Sequence, residues 1–203
     1  MFQNWVFRKI SLRLPCCSIL TLLTLLFAGN AKASWEWKKS PSDESWKSFV
    51  KLPPSKKAKL WARVHEQGLS FEDMAWEWRL GWVKACSTSE EEWCSSILQH
   101  GLFDRALVVR AETAARLGDR FAGTGHKPVL RLLATAYAVK QNSKSSAQAS
   151  QEPLYVQYRI LHAIKQIGGP TGLELGERLA RGTQGTAQYW KLLAGNEEVG
   201  KRL

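Results

Sequence analysis

The chain has 203 residues, with Lys plus Arg 29 against Asp plus Glu 18, a formal net charge of +11, four cysteines and ten tryptophans. That length suits one domain or two small ones, and 44% apolar residues with 10% aromatics suffice for a buried core, which excludes a wholly disordered chain. Without a glycine period or a sustained heptad, collagen-like and coiled-coil chains are excluded too, and the positive charge points toward nucleic acid, anionic membrane or an acidic partner.

Residues 1–33 read as a signal peptide. Arg8, Lys9 and Arg13 form a basic region, Ser18 to Ala28 is apolar, and Ala31 and Ala33 are the small residues of a cleavage site. The apolar run is shorter than the roughly 20 residues that a membrane-spanning helix requires. Cleavage before Ser34 is therefore expected over retention as an anchor, and Cys16 and Cys17 precede the apolar run where a lipid anchor would follow it. The expectation is a periplasmic or secreted bacterial protein. In such an oxidising compartment the two remaining cysteines, Cys86 and Cys94, are expected to form a disulfide that staples the end of one helix to the start of the next. No metal or cofactor is expected, because a second cysteine pair is lacking and His65, His100, His126 and His162 are scattered.

Residues 34–53 form a polar and aromatic arm, with Trp35, Trp37 and Trp46 expected to dock on the body. Residues 54–100 form a Trp-rich helical cap. Its first helix is expected over 55–67, with Ser55 as N-cap and Leu60, Trp61 and Val64 as its apolar side. Ser70 is expected to open the second, with Asp73 in its first turn. There Phe71, Ala75, Trp78 and Trp82 share one face and Trp76, Leu80 and Val83 another, so both faces are expected to be buried. Tryptophans at helical spacing in an apolar pattern are read as core and not as a platform for sugars or bases. Ser89 and Glu92 make a capping box for a third helix, with Trp93, Ile97 and Leu98 on its apolar side.

Residues 101–194 are expected to hold helical repeats. A small-residue helix from Leu107 is expected to stop at Gly118, and a second to start at Pro128. Residues 140–153, rich in Ser, Gln and Lys, read as a loop. A second pair follows over 154–167 and 171–180, divided by Gly168-Gly169-Pro170, and a short helix over 188–194 precedes a polar tail, 195–203. An offset of 49 places Arg159 under Arg110 and Ala163 under Ala114, and one inserted residue brings Ile167-Gly168 under Leu117-Gly118. A period in the forties built of two helices is that of an alpha-solenoid.

The stretch around Val109-Arg110, Ala114 and Leu117-Gly118-Asp119 resembles the first helix of a HEAT repeat, and Ile167-Gly168-Gly169-Pro170 resembles the Ile-Gly-Asp-Pro turn of that family. Tyr158 stands where the valine is expected in the second copy, and Arg116 where a small residue is usual. The resemblance spans about two repeats and implies an all-α, HEAT-like helical-pair solenoid with the Trp-rich helices as its N-terminal cap. It further implies a non-catalytic module that binds a protein partner on a concave face lined by the second helices.

The charge is unevenly placed. Ten basic residues balance ten acidic ones over 34–100, while fifteen face eight over 101–203. Arg178 and Arg181 share a helical face with Glu174, and Arg131 lies on the corresponding helix of the preceding pair, so these three arginines are the candidate binding residues. The expected partner is a protein, acidic or envelope-associated. Export argues against nucleic acid, and peripheral contact with anionic phospholipid is a third reading. The catalytic alternative is a peptidoglycan-acting enzyme, because Glu44-Ser45 resembles the Glu-Ser start of lytic transglycosylases. The following Trp46-Lys47-Ser48-Phe49 lacks the Gly-Leu-Met-Gln of that family.

Overall fold

A computed structural model describes residues 35–86, 91–143 and 152–195, all of it helix and connecting turn. The leader, Ser89 and residues 196–203 of the polar tail lie outside the described residues, while Gly195 ends the last helix. No described helix is long and apolar enough to cross a membrane.

The arm carries a helix of its own, α1 (Asp43–Lys51), capped by the Ser42 hydroxyl, which accepts from the Ser45 N–H. Helix α2 (Pro54–Glu66) starts one residue earlier than Ser55, because a proline at the first position needs no N–H partner, and Pro53 is its cap. Ser70 does not open α3. Its N–H and hydroxyl both donate to Asp73, closing a turn, and α3 (Trp76–Ala85) begins only after it. The side-chain bonds that suggested a helix start are satisfied within the turn.

Trp37, Phe49, Trp61, Phe71, Trp78 and Trp82 are all buried and meet mostly edge to face, so the expected aromatic core is present. Trp82 is wholly enclosed, 5.0 Å from Trp61 and 5.7 Å from Trp93 between ring centres. Each such ring removes roughly 150–250 Å² from water, about 4–6 kcal/mol of gross transfer free energy. The second face of α3 is not fully covered: Val83 is buried, but Trp76, at the helix start, remains 45% exposed.

Cys86, which caps the end of α3, is bridged to Cys94 in α4 (Glu92–Gly101), with the two Cα atoms 5.2 Å apart. Helix α5 (Leu107–Arg120) packs on α3 and α4 and connects the aromatic core to the remaining helices. It runs through Gly118 instead of ending there, because the missing side chain at Gly118 admits the backbone of α8. Then come α6 (Lys127–Tyr137), a short α7 (Lys140–Ser143), α8 (Glu152–Ile167), α9 (Gly169–Ala180) and α10 (Gln184–Gly195). The region read as a loop thus contributes α7 and the first residues of α8 to helix. Helix α8 is the centre of this half: α5, α6, α7, α9 and α10 all pack against it. Its Val156, Ile160, Leu161, Ala163, Ile164 and Ile167 are fully buried, as a helix surrounded on several sides requires.

A buried polar chain crosses the junction between the halves. Arg79 of α3 donates to both carboxylate oxygens of Asp104, at 2.5 and 2.9 Å, and also to the Met74 carbonyl. Arg110 of α5 donates to the Asp104 carbonyl at 2.8 Å and to the Asn142 side chain at 2.9 Å, and the Asn142 amide donates to the Ala136 carbonyl. Burial pushes the Arg110 guanidinium below its ordinary pKa while the Asp104 charge pulls it back up. Arg159, its counterpart in the repeat alignment, instead lies across the Tyr155 ring, 5.3 Å from its centre. The two arginines that the sequence offset pairs therefore stand in different environments.

Candidate binding groove

Three adjoining surface hollows lie beside α6. The first, about 580 Å³, lies where Arg79 and Asp104 close the floor, with Glu72, His100 and the exposed Phe103 and Arg105 around it. The second, about 490 Å³, shares Gln99 and Leu132 with the first. The third, about 550 Å³, shares Arg131 and Thr135 with the second and lies between α6 and α9. A smaller recess beside Trp76 joins the first hollow at Arg79 and Arg105.

The periodicity of α6 produces this arrangement. Val129, Leu130, Leu133 and Ala136 turn into the core, which leaves Arg131, Leu132 and Thr135 on the outward face along the floor of the hollows. The start of α6 is fixed by His126, whose Nδ1 accepts from the Val129 N–H at 3.3 Å and whose ring packs on Phe121 with centres 4.6 Å apart. An accepting Nδ1 places the ring proton on Nε2.

Of the three arginines singled out by the sequence, Arg131 and Arg178 line the third hollow together with Glu174 and Lys127. Both are exposed, and neither takes part in an ion pair among the described residues. Arg181 does not join them: it pairs with Glu177 at 2.7 Å, one turn back on α9, away from the hollow. Glu44 stands exposed in the first turn of α1 and lines none of these hollows.

Arg105, Arg120 and His126 are groove residues that the sequence reading did not select. The signals were present but local: Arg120 is the last residue of α5, and His126 directly precedes Lys127-Pro128, a helix start. Among the described residues no group of three or more His, Cys, Asp or Glu side chains is placed to hold a metal ion.

No protein-family model, curated protein or solved structure matches the chain. The groove itself is thus the ground for a functional reading. In chemical terms it offers apolar floor from Leu132, hydrogen-bonding groups from Gln99 and Thr135, and cations at Arg105, Arg131, Lys127 and Arg178. Such a surface can hold an elongated, negatively charged molecule by charge and apolar contact together.

Proposed function

We propose that the chain is an exported, non-catalytic binding module of the bacterial cell envelope that holds an acidic protein partner along this groove. The pairs α5–α6 and α8–α9 act as two HEAT-like units, the Trp-rich helices cap them, and the groove over α6 and α9 is their concave face. The observation that carries the reading is the run of three adjoining hollows with Arg131 shared between two of them and Arg178 at one end. The uneven charge agrees with it, since the excess of basic residues falls after residue 100.

The test is a pull-down from envelope extract at low and moderate salt, followed by binding of the purified partner. Arg131→Glu and Arg178→Glu each weaken the purified partner at least tenfold, and Arg181→Glu, outside the groove, has little effect. Unchanged binding of the two groove variants overturns the reading. Binding to vesicles of anionic phospholipid with the same dependence on Arg131 replaces the protein partner with a membrane. Mass spectrometry of the native protein checks export: the mature chain begins at Ser34, and an intact N-terminus overturns cleavage.

A further inference from the structure

The central hollow differs from its neighbours in charge. Glu72 and Asp104 line the first hollow and Glu174 the third, so each of those carries acid as well as base. The central one is lined by Arg120 and Arg131 and, among the described residues, by no carboxylate. Its walls are otherwise largely apolar, from Leu98, Leu117, Phe121, Val129 and Leu132. A cation over an apolar floor, without an acidic neighbour, leaves its charge to be met by whatever enters.

Two hydrogen-bonding features add direction. Arg120 rests against the Phe121 ring, and its Nη1 is buried without a hydrogen-bond partner among the described residues, so a guanidinium that cannot shed its charge has donor capacity left over. His126 spends Nδ1 on the Val129 N–H, which leaves Nε2 as a donor at the same wall. The hollow therefore adds the donors of Arg120 and His126 to largely apolar walls around about 490 Å³.

We infer that the central hollow is a subsite for a chain-terminal apolar residue of the partner, its side chain against Leu117 and Leu132 and its free carboxylate on Arg120, with His126 as second donor. The chemistry of an extended peptide favours a terminus. Successive side chains of an extended chain point to opposite sides, so an acidic side chain and its apolar neighbour do not enter one hollow together. A terminal residue carries both the carboxylate and the side chain on one Cα. Arg131, at the border with the third hollow, then meets acidic residues preceding the terminus. This inference rests on the groove reading above and gives it a ligand.

The probes are two peptides, acetyl-Asp-Ala-Leu with a free carboxylate and the same peptide as its C-terminal amide, titrated into the full mature chain and followed by backbone amide shifts. The free acid is expected to bind at least tenfold more tightly than the amide, with shifts centred on α6 and the end of α5. Arg120→Gln removes the preference for the acid, Arg120→Lys restores part of it, and Leu132→Ser weakens acid and amide alike. An unchanged thermal midpoint for Arg120→Gln separates loss of binding from loss of fold. Equal binding of acid and amide, or no binding of either, overturns the terminal subsite. The groove reading is tested apart from it, because the response of the purified partner to Arg131→Glu and Arg178→Glu does not require a free terminus.

Discussion

A Cβ built on Gly118 of α5 would lie 2.8 Å from the Cα of Ala163 on α8. Contact at that range is closer than carbon atoms tolerate, so the absence of a side chain sets how near the two helices come. Gly118→Val is expected to lower stability by about 3 kcal/mol, since neither backbone can withdraw without disturbing the packing around α8. Gly195→Ala is the control, because its added Cβ meets open space. Urea unfolding measures both, and a Gly118→Val protein as stable as the parent contradicts this account of the crossing.

Asp104 is the acceptor for Arg79, and both are almost fully buried, at 7% and 1% exposure. Asp104→Asn leaves the guanidinium inside the protein without its counter-charge, at a cost of about 3–5 kcal/mol. Replacing both partners, Arg79→Met with Asp104→Leu, is expected to cost less than that single change, because the desolvated charge leaves with its partner. A double-mutant cycle in urea decides it. A double variant weaker than Asp104→Asn shows that the bonds to Met74 and Ala106 outweigh the ion pair.

Glu72 lies on the rim of the first hollow, paired with His100. Partial burial pushes its carboxyl up, but the His100 hydrogen bond and charge outweigh that and hold it below its ordinary value of 4.5. A carboxyl depressed in the folded state adds stability above its unfolded pKa, and that stability is lost as pH falls through the folded value. Glu72→Gln is therefore less stable than the parent at pH 7, by under about 1 kcal/mol for so exposed a pair, and equal to it near pH 3. Asp73, held low by the Ser70 N–H and hydroxyl, titrates over the same range in both proteins and cancels in the comparison. A difference that persists at pH 3 excludes the pair as its cause.

The Cys86–Cys94 bridge closes a loop with a sequence separation of 8. For so short a loop the chain-entropy model gives about 2–3 kcal/mol. Both cysteines are fully buried, so opening the bridge also loosens the junction of α3 and α4. Cys86→Ala with Cys94→Ala, compared by thermal melting with the oxidised parent, is expected to show a lower midpoint. An unchanged midpoint removes the bridge from the stabilising contacts.

Helix type and approximate position were legible in the sequence wherever apolar spacing was strong, as around Leu60, Trp61 and Val64 or Leu130 and Leu133. Boundaries were misread where one residue has two uses. Gly118 carries the mark of a helix end yet serves a helix crossing, and Ser70 carries the mark of a cap yet closes a turn. Trp76 fits the apolar pattern of α3 but falls on its first residue and stays partly exposed. Asn142 was hidden in a polar stretch because its bonds go to Arg110 and Ala136, 32 and 6 residues back. Of the three arginines expected together, Arg131 and Arg178 were legible because each lies on the outward face of an amphipathic helix, while Arg181 caps the end of α9 and pairs with Glu177. Arg120 and His126 were not, since their placement depends on how the turn after α5 meets the turn after α8.

The turn after α5 touches the end of α8 directly: the Gly123 N–H donates to the Gln166 carbonyl at 2.8 Å and the Gly125 N–H to the Ile167 carbonyl at 2.9 Å. Gly169 fits because a Cβ there would stand 3.3 Å from the Cα of Gly125. The end of α5 with its following turn and the end of α8 are thus joined along one border by main-chain hydrogen bonds, alongside the Gln166 side-chain amide, which donates to Asp119 at 3.2 Å. The spacing of Arg131 and Arg178 is consequently held by peptide groups at one border and by side chains such as Leu130, which lies against Gly172, between the helices.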